Sequence, residues 1–328
     1  ELRDAGVATD GVEWLDCELE TVWMRDFGPM FTINEDAELG IGDARYYSDR
    51  YLDDSFPEQA SDWWGVDFYE IPVWLEGGNF YADGHGTCVA TNIVYEWYRE
   101  YYPSVTAEFV SAIFQNTLGC DETIWLEPLD GEGTGHVDMF FTYVDHENVI
   151  VGSFSPADDV FGSNAALLDR NAEKMAAAGY TVHRVPMLPN NDLDSDGYAD
   201  FHTVINGFFA NMLGETPLFI APSFPFRYPA KTAAAMAALR DAMPGVDIVP
   251  IPAETIIIAG GALHCVMKSI PTGQWPMPCD DPYEFNDDDP RCDGLVDGDD
   301  GGSADSSDVG SPDGGDGEGE EGSADGDE

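Results

Sequence analysis

Lysine is nearly missing from this chain: 328 residues contain only Lys174, Lys231 and Lys268, and Lys plus Arg total 13 against 64 Asp plus Glu, a formal charge of −51. A field this negative repels phosphate backbones and anionic headgroups, which excludes nucleic acid and membrane surfaces as partners and favours cations. Long apolar runs are lacking too, none approaching the ~18 residues of a membrane span. Cysteine is sparse: six residues, at 17, 88, 120, 265, 279 and 292, with no CxxC or Cys/His zinc spacing and too scattered for a disulfide scaffold. Cys279 and Cys292 are placed to close a small loop in an oxidising compartment. The chain opens on Glu1 without a leader, which reads as a processed or truncated start.

What is present is 43% hydrophobic residues, enough for a substantial core, and an uneven charge. Twenty acids and one base fall between 280 and 328. From 293 onward the Asp/Gly/Ser-rich sequence has almost nothing to bury, so an acidic disordered tail is expected over 293–328, a Pro/Asp-rich transition over 272–292, and one folded domain over 1–271. The acidic, lysine-poor surface suits a salty or extracellular setting, so an extracellular or cell-surface location is expected, with a cytoplasmic one as the alternative.

Within the folded part, short strand-like runs alternate with amphipathic helices. The segment 73–95 reads as two strands about a DGHG turn, and 106–119 as a helix presenting Phe109, Val110, Ile113, Phe114 and Leu118 on one face and stopped by Gly119. The run HVDMFFTYVD is expected as a strand that puts His136 and Asp138 on one face, and TIIIAGG and ALHCVMK as two more. Helices are expected at 163–180 and 231–243. Strand–strand–helix–strand units recur, which predicts a repeated α/β architecture.

Four segments place polar residues beside glycine: WMRDFGPMF (23–31), LEGGNF (75–80), GTGHVDMF (133–140) and GGALHCVM (260–267). A cysteine, a histidine and acids on separate segments suit a thiol nucleophile assembled in three dimensions. In this order the motifs resemble the agmatine deiminase and bacterial, Porphyromonas-type peptidylarginine deiminase family, from about residue 10 to about 271. The resemblance implies a five-bladed pseudo-symmetric α/β propeller, the pentein fold, with an incomplete first blade. It implies hydrolysis of a guanidinium through a covalent Cys thiouronium, with no organic cofactor. Cys265 would be the nucleophile, His136 the general acid and base, and Asp138 and Asp26 the carboxylates gripping the guanidinium. Asn206 sits where the family places a substrate-orienting Asn, and Glu76 and Asn79 of the EGGN segment are further candidates for the substrate pocket.

Individual residues also have bland readings: Cys265 as a small core residue, Asp26 as a turn cap, His85 as an exposed turn residue. His264, on the opposite face of the strand expected there, reads as structural. The segment YYSDRYLDD (46–54) resembles the one with which peptidylarginine deiminases hold a C-terminal carboxylate through an Arg pair. Arg50, Asp53 and Asp54 fall into place, whereas Ser48 stands where the first Arg belongs. A peptidyl-arginine substrate is therefore expected, with agmatine as the alternative and a non-catalytic calcium-binding surface protein as a remoter one.

Independently, NDLDSDGYAD (191–200) sets Asp192, Asp194, Asp196, Gly197 and Asp200 at positions 1, 3, 5, 6 and 9 of an EF-hand-like loop, with the Tyr198 carbonyl at position 7. Calcium is expected at 192–203, although Thr203 replaces the bidentate Glu of position 12.

Overall fold

The computed structural model describes residues 14–34, 36–191, 199–210 and 216–271. Four three-stranded sheets of one pattern follow each other along the chain. The first is β1 (Met30–Ile33), β2 (Leu39–Arg45) and β3 (Asp67–Trp74); the second β4 (Tyr81–Ala82), β5 (Thr87–Thr91) and β6 (Glu122–Leu126). The third is β7 (Phe141–Tyr143), β8 (Asn148–Ser153) and β9 (Thr181–Pro186). After a short hairpin of β10 (Asn190–Asn191) and β11 (Asp200–Phe201) comes the fourth, β12 (Phe208–Ala210), β13 (Leu218–Ser223) and β14 (Asp247–Pro252).

In each sheet the first two strands pair antiparallel, and the third joins the middle strand in parallel. A parallel neighbour demands a crossover, and helices supply it. These are α2 (Tyr51–Asp54) and α3 (Phe56–Trp64) in the first unit and, after α1 (Met24–Phe27), α4 (Ile93–Tyr101) and α5 (Ala107–Leu118) in the second. In the third and fourth units they are α6 (Asn164–Ala177) and α7 (Pro229–Ala242). The expected strand–strand–helix–strand repeat is thus present four times among the described residues, and the fold is α/β.

Local chemistry explains the boundaries. In α5 the Thr106 side chain caps the Phe109 N–H, and Gly119 takes φ 70°, the left-handed geometry that ends a helix without a Cβ clash. Val110 and Phe114 are fully buried there, but Phe109 is exposed, so the apolar face is narrower than expected. The DGHG turn joins β4 to β5, with the Asp83 carboxylate accepting from the His85 and Thr87 N–H groups. The central strands β8 and β13 and the phenylalanines 140, 141, 201, 219 and 224 belong to one large core cluster.

Two expected strands, and the start of a third that becomes β7 only at Phe141, are something else. Residues 137–139, 257–259 and 264–266 form single 3-10 turns. Short apolar runs satisfy strand and turn patterns alike, and the flanking Gly135, Gly260 and Gly261 mark where the chain bends.

Among the described residues one disulfide, Cys88–Cys120, ties the start of β5 to the turn two residues before β6. Its partners are 32 residues apart with no local motif. Removing it is expected to cost about 3 kcal/mol. Cys88→Ser with Cys120→Ser should melt roughly 6–12 °C below the parent in a reversible thermal scan; equal melting temperatures would show that the bridge contributes nothing.

Candidate active site

The four glycine-flanked segments come together although they lie far apart in sequence. Helix α1 meets both the 3-10 turn of residues 77–79 and that of residues 264–266, and the turn at 77–79 meets the one at 137–139. The glycines permit this approach. A Cβ on Gly77 would collide with the Arg25 carbonyl, and one on Gly78 would stand 2.6 Å from His136 Nδ1 and 2.7 Å from Asp26 Oδ1. A Cβ on Gly261 would stand 2.8 Å from Cys265 Sγ.

His136 lies between two carboxylates. Its Nε2 is 2.9 Å from Glu76 Oε2 and its Nδ1 is 3.7 Å from Asp26 Oδ1. Burial alone would depress its pKa, but Asp26 and then Glu76 outweigh that and hold it well above the usual histidine range. Glu76 also accepts from the Tyr47 hydroxyl at 2.6 Å. Burial raises Asp26 to about 6 despite the opposing pull of His136 and of the Gly78 N–H bonded at 3.1 Å.

Cys265 and Asp138 form the second group. Asp138 is fully buried and raised by desolvation to about 7. Its Oδ2 lies 3.7 Å from Cys265 Sγ and 2.7 Å from His264 Nδ1, while Oδ1 has no hydrogen-bond partner among the described residues. Asn206 touches the sulfur at 3.5 Å and donates to the Asp138 carbonyl at 3.3 Å. Burial, then Asp138 and Asp26, push the Cys265 thiol well above its usual range. The site therefore holds a protonated thiol, a protonated imidazole and buried carboxylates until a cation arrives to offset them.

The structure thus brings Cys265, His136, Asp138, Asp26, Glu76 and Asn206 together. His136 and Asp138 do so from a 3-10 turn, not from one strand face. Asn79 plays another part: its amide donates to Thr91 Oγ1 and accepts from the Thr91 and Val137 N–H groups, so it fastens β5 to the His136 turn. Arg50 lies over the Tyr46 and Tyr47 rings and donates to the Tyr46 hydroxyl at 2.9 Å. Asp53 and Asp54 accept from backbone N–H groups of residues 20, 21 and 46. Of the expected calcium ligands, Asp192, Asp194, Asp196 and Tyr198 lie outside the described residues; Asp200 is buried and pairs with Asn191 in the hairpin that closes the loop.

Four residues escaped the sequence reading. His264 is buried against Asp138 rather than turned away from the site, because 264–266 is a turn and not a strand. Its Nε2 is 3.3 Å from the Tyr81 hydroxyl, and the two rings stack. Arg25 donates to the His264 carbonyl at 3.2 Å, and Lys268 to the Arg25 carbonyl at 3.1 Å. The adjacency of His264 to Cys265 was the one available signal.

A cavity of about 420 Å³, lined by Glu132, Thr134, Met139, Asp200, Phe201 and Gly260 among others, borders the site through Met139 and through Glu132, whose carboxylate accepts from the His136 N–H at 3.1 Å; Cys265, His136, Asp138 and Asp26 are not in its lining, and no cationic side chain is among its described lining residues.

A buried thiol with paired carboxylates and a charged imidazole, on a repeated α/β frame, defines a C–N hydrolase acting on amidines. A family model described as Porphyromonas-type peptidyl-arginine deiminase matches residues 2–271, and the chain belongs to that family of guanidino-group deiminases. The agmatine deiminase of Stutzerimonas stutzeri is 27% identical over 280 residues, 77% of this chain and 75% of that one. Among solved structures, the C. jejuni agmatine deiminase with substrate bound superposes at TM-score 0.66 and 18% identity, covering 77% of this chain and 74% of that one. The agmatine deiminase of Enterococcus faecalis does so at 0.63 and 21%, covering 74% and 73%. Among the described residues no helix is long and apolar enough to cross a membrane.

Proposed function

We propose that the chain hydrolyses agmatine, a guanidine bearing a second cationic group, to a ureido product and ammonia. The observation that carries this reading is the neighbouring cavity, with Glu132 and Asp200 in its lining and no cation among its described residues. A dication is attracted there, whereas the carboxylate of a terminal arginine would find no counter-charge. The relatives named as agmatine deiminases point the same way, so the peptidyl-arginine substrate expected from residues 46–54 gives way to its alternative. Arg50 is engaged with two tyrosines and Ser48 stands where a second arginine would be needed, so the carboxylate clamp of the peptidyl-arginine reading is incomplete.

In this reading Asp138 Oδ1 and Asp26 hold the guanidinium, whose charge favours the Cys265 thiolate, the thiol proton passing to solvent as the cation binds. The sulfur adds to the guanidinium carbon, and His136 protonates the departing nitrogen as the C–N bond breaks, leaving a thiouronium. His136, now neutral, takes a proton from water as it attacks; the C–S bond breaks and the ureido product leaves. Four described repeats fit four blades of a five-bladed propeller, which this reading adopts. The Cys88–Cys120 bridge supports an oxidising, extracellular setting. Calcium at 192–203 is retained as an aid to Asp200 and Asn206.

The test is ureido formation from agmatine, benzoyl-arginine amide, a peptide ending in arginine and free arginine, each with calcium and with EGTA. Product from agmatine is expected. Product from the arginine compounds alone would restore the peptidyl-arginine reading, and equal rates in EGTA would remove calcium.

A further inference from the structure

Asp138 can use Oδ1 on a substrate only if something else fixes the carboxylate by Oδ2. The structure supplies that group in His264, whose Nδ1 is 2.7 Å from Oδ2. Burial, then Arg25, Lys268 and His136, hold the imidazole neutral, so it carries one hydrogen. In the ionised form that grips a guanidinium, Asp138 is an acceptor only and requires that hydrogen on Nδ1. Nε2 must then accept, and the Tyr81 hydroxyl at 3.3 Å is a donor. Tyr81 also stacks on the ring, centroids 5.2 Å apart and planes 18° apart, which blocks rotation of the imidazole. The three groups come from three separate segments: β4, the 137–139 turn and the 264–266 turn.

We propose that His264 and Tyr81 are positioning residues for the deimination: Tyr81 fixes the Nδ1–H tautomer of His264, and His264 turns Asp138 so that Oδ1 meets the guanidinium. The proposal rests on Asp138 as a guanidinium acceptor. Neither residue touches the substrate; both act through Asp138. The arrangement aligns the carboxylate without placing another cation next to the nucleophile.

The experiment compares Tyr81→Phe, His264→Asn and His264→Leu in steady-state turnover of agmatine over pH, with thermal melting as a control on folding. Asn carries an amide N–H at about the place of Nδ1, so His264→Asn should keep kcat/KM within roughly tenfold of the parent. His264→Leu should lose at least ~100-fold, with KM raised as well as kcat lowered, because Asp138 loses the nitrogen donor that orients it and keeps only the weak thiol contact at 3.7 Å. Its acid limb should also move to higher pH, since a carboxylate without that donor ionises less readily. His136, Asp26, Arg25 and Glu132 also act on Asp138, and Lys268 and Arg25 on His264; all stay in place in these variants. Tyr81→Phe keeps the stacked ring and should lose about tenfold, mostly in kcat.

Equal losses in His264→Asn and His264→Leu, or a Tyr81→Phe protein identical to the parent in kcat, KM and pH profile, would overturn the proposal. If His264→Leu does not fold, Tyr81→Phe decides alone. Failure of the underlying reading shows elsewhere, in a parent protein that makes no ureido product from agmatine.

Discussion

Cys265→Ser is expected to lower ureido formation by at least ~10⁴-fold while the melting temperature stays within about 2 °C of the parent. The loss is large because no other described residue offers a thiol at this place: Cys17, the one other free cysteine described, belongs to the first repeat's surroundings. The fold should survive because Ser is smaller and Asn206 and Asp138 give its hydroxyl polar neighbours. A thiol held protonated by burial should be sluggish toward neutral alkylators. A haloacetamidine brings the cation the site lacks, so it should label Cys265 far faster than iodoacetamide does. Comparable rates with both reagents, or turnover surviving in the serine variant, would refute the nucleophile.

Glu76→Gln is expected to cost ~10²-fold in kcat, the scale on which a general acid contributes. Glu76 and Asp26 raise His136, so the imidazolium is present at neutral pH and is lost as pH rises through that raised value. Without Glu76 only Asp26 and Asp138 are left to oppose burial, the histidine pKa falls, and the alkaline limb of the kcat profile should move to lower pH. The same sign holds for stability. The His136–Glu76 contact is fully favourable below the unfolded histidine pKa of about 6.5 and fades as pH rises through the folded one. An alkaline limb that stays put would mean that Glu76 serves only to anchor Tyr47.

Much of this was readable in the chain. The glycines of EGGN and GGALHC marked places where backbone meets side chain, and the structure shows why: at Gly78 a methyl group would occupy the space between Asp26 and His136. The repeat was readable because hairpin, helix and strand recur with their own periodicities. What stayed hidden depended on apolar runs too short to choose between strand and turn. Reading 264–266 as a strand turned His264 away from Asp138, and the same error over 136–138 gave the right pairing for the wrong reason. The Arg50 segment was read as a clamp because sequence cannot show that its guanidinium is already stacked on Tyr46 and Tyr47.

Each repeat, or the chain just before it, contributes something the chemistry needs: Asp26 comes before the first, Glu76 between the first and second, His136 and Asp138 before the third, Asn206 before the fourth, Cys265 after it. Arg25 and His264, joined by a hydrogen bond, are 239 residues apart. Such a site has no half-built form. Contacts of that separation are late and slow to close, because the intervening loop entropy has to be met first. Turnover is therefore a measure of complete closure, returning on refolding only after all four sheets have docked, and lost at the first repeat to open.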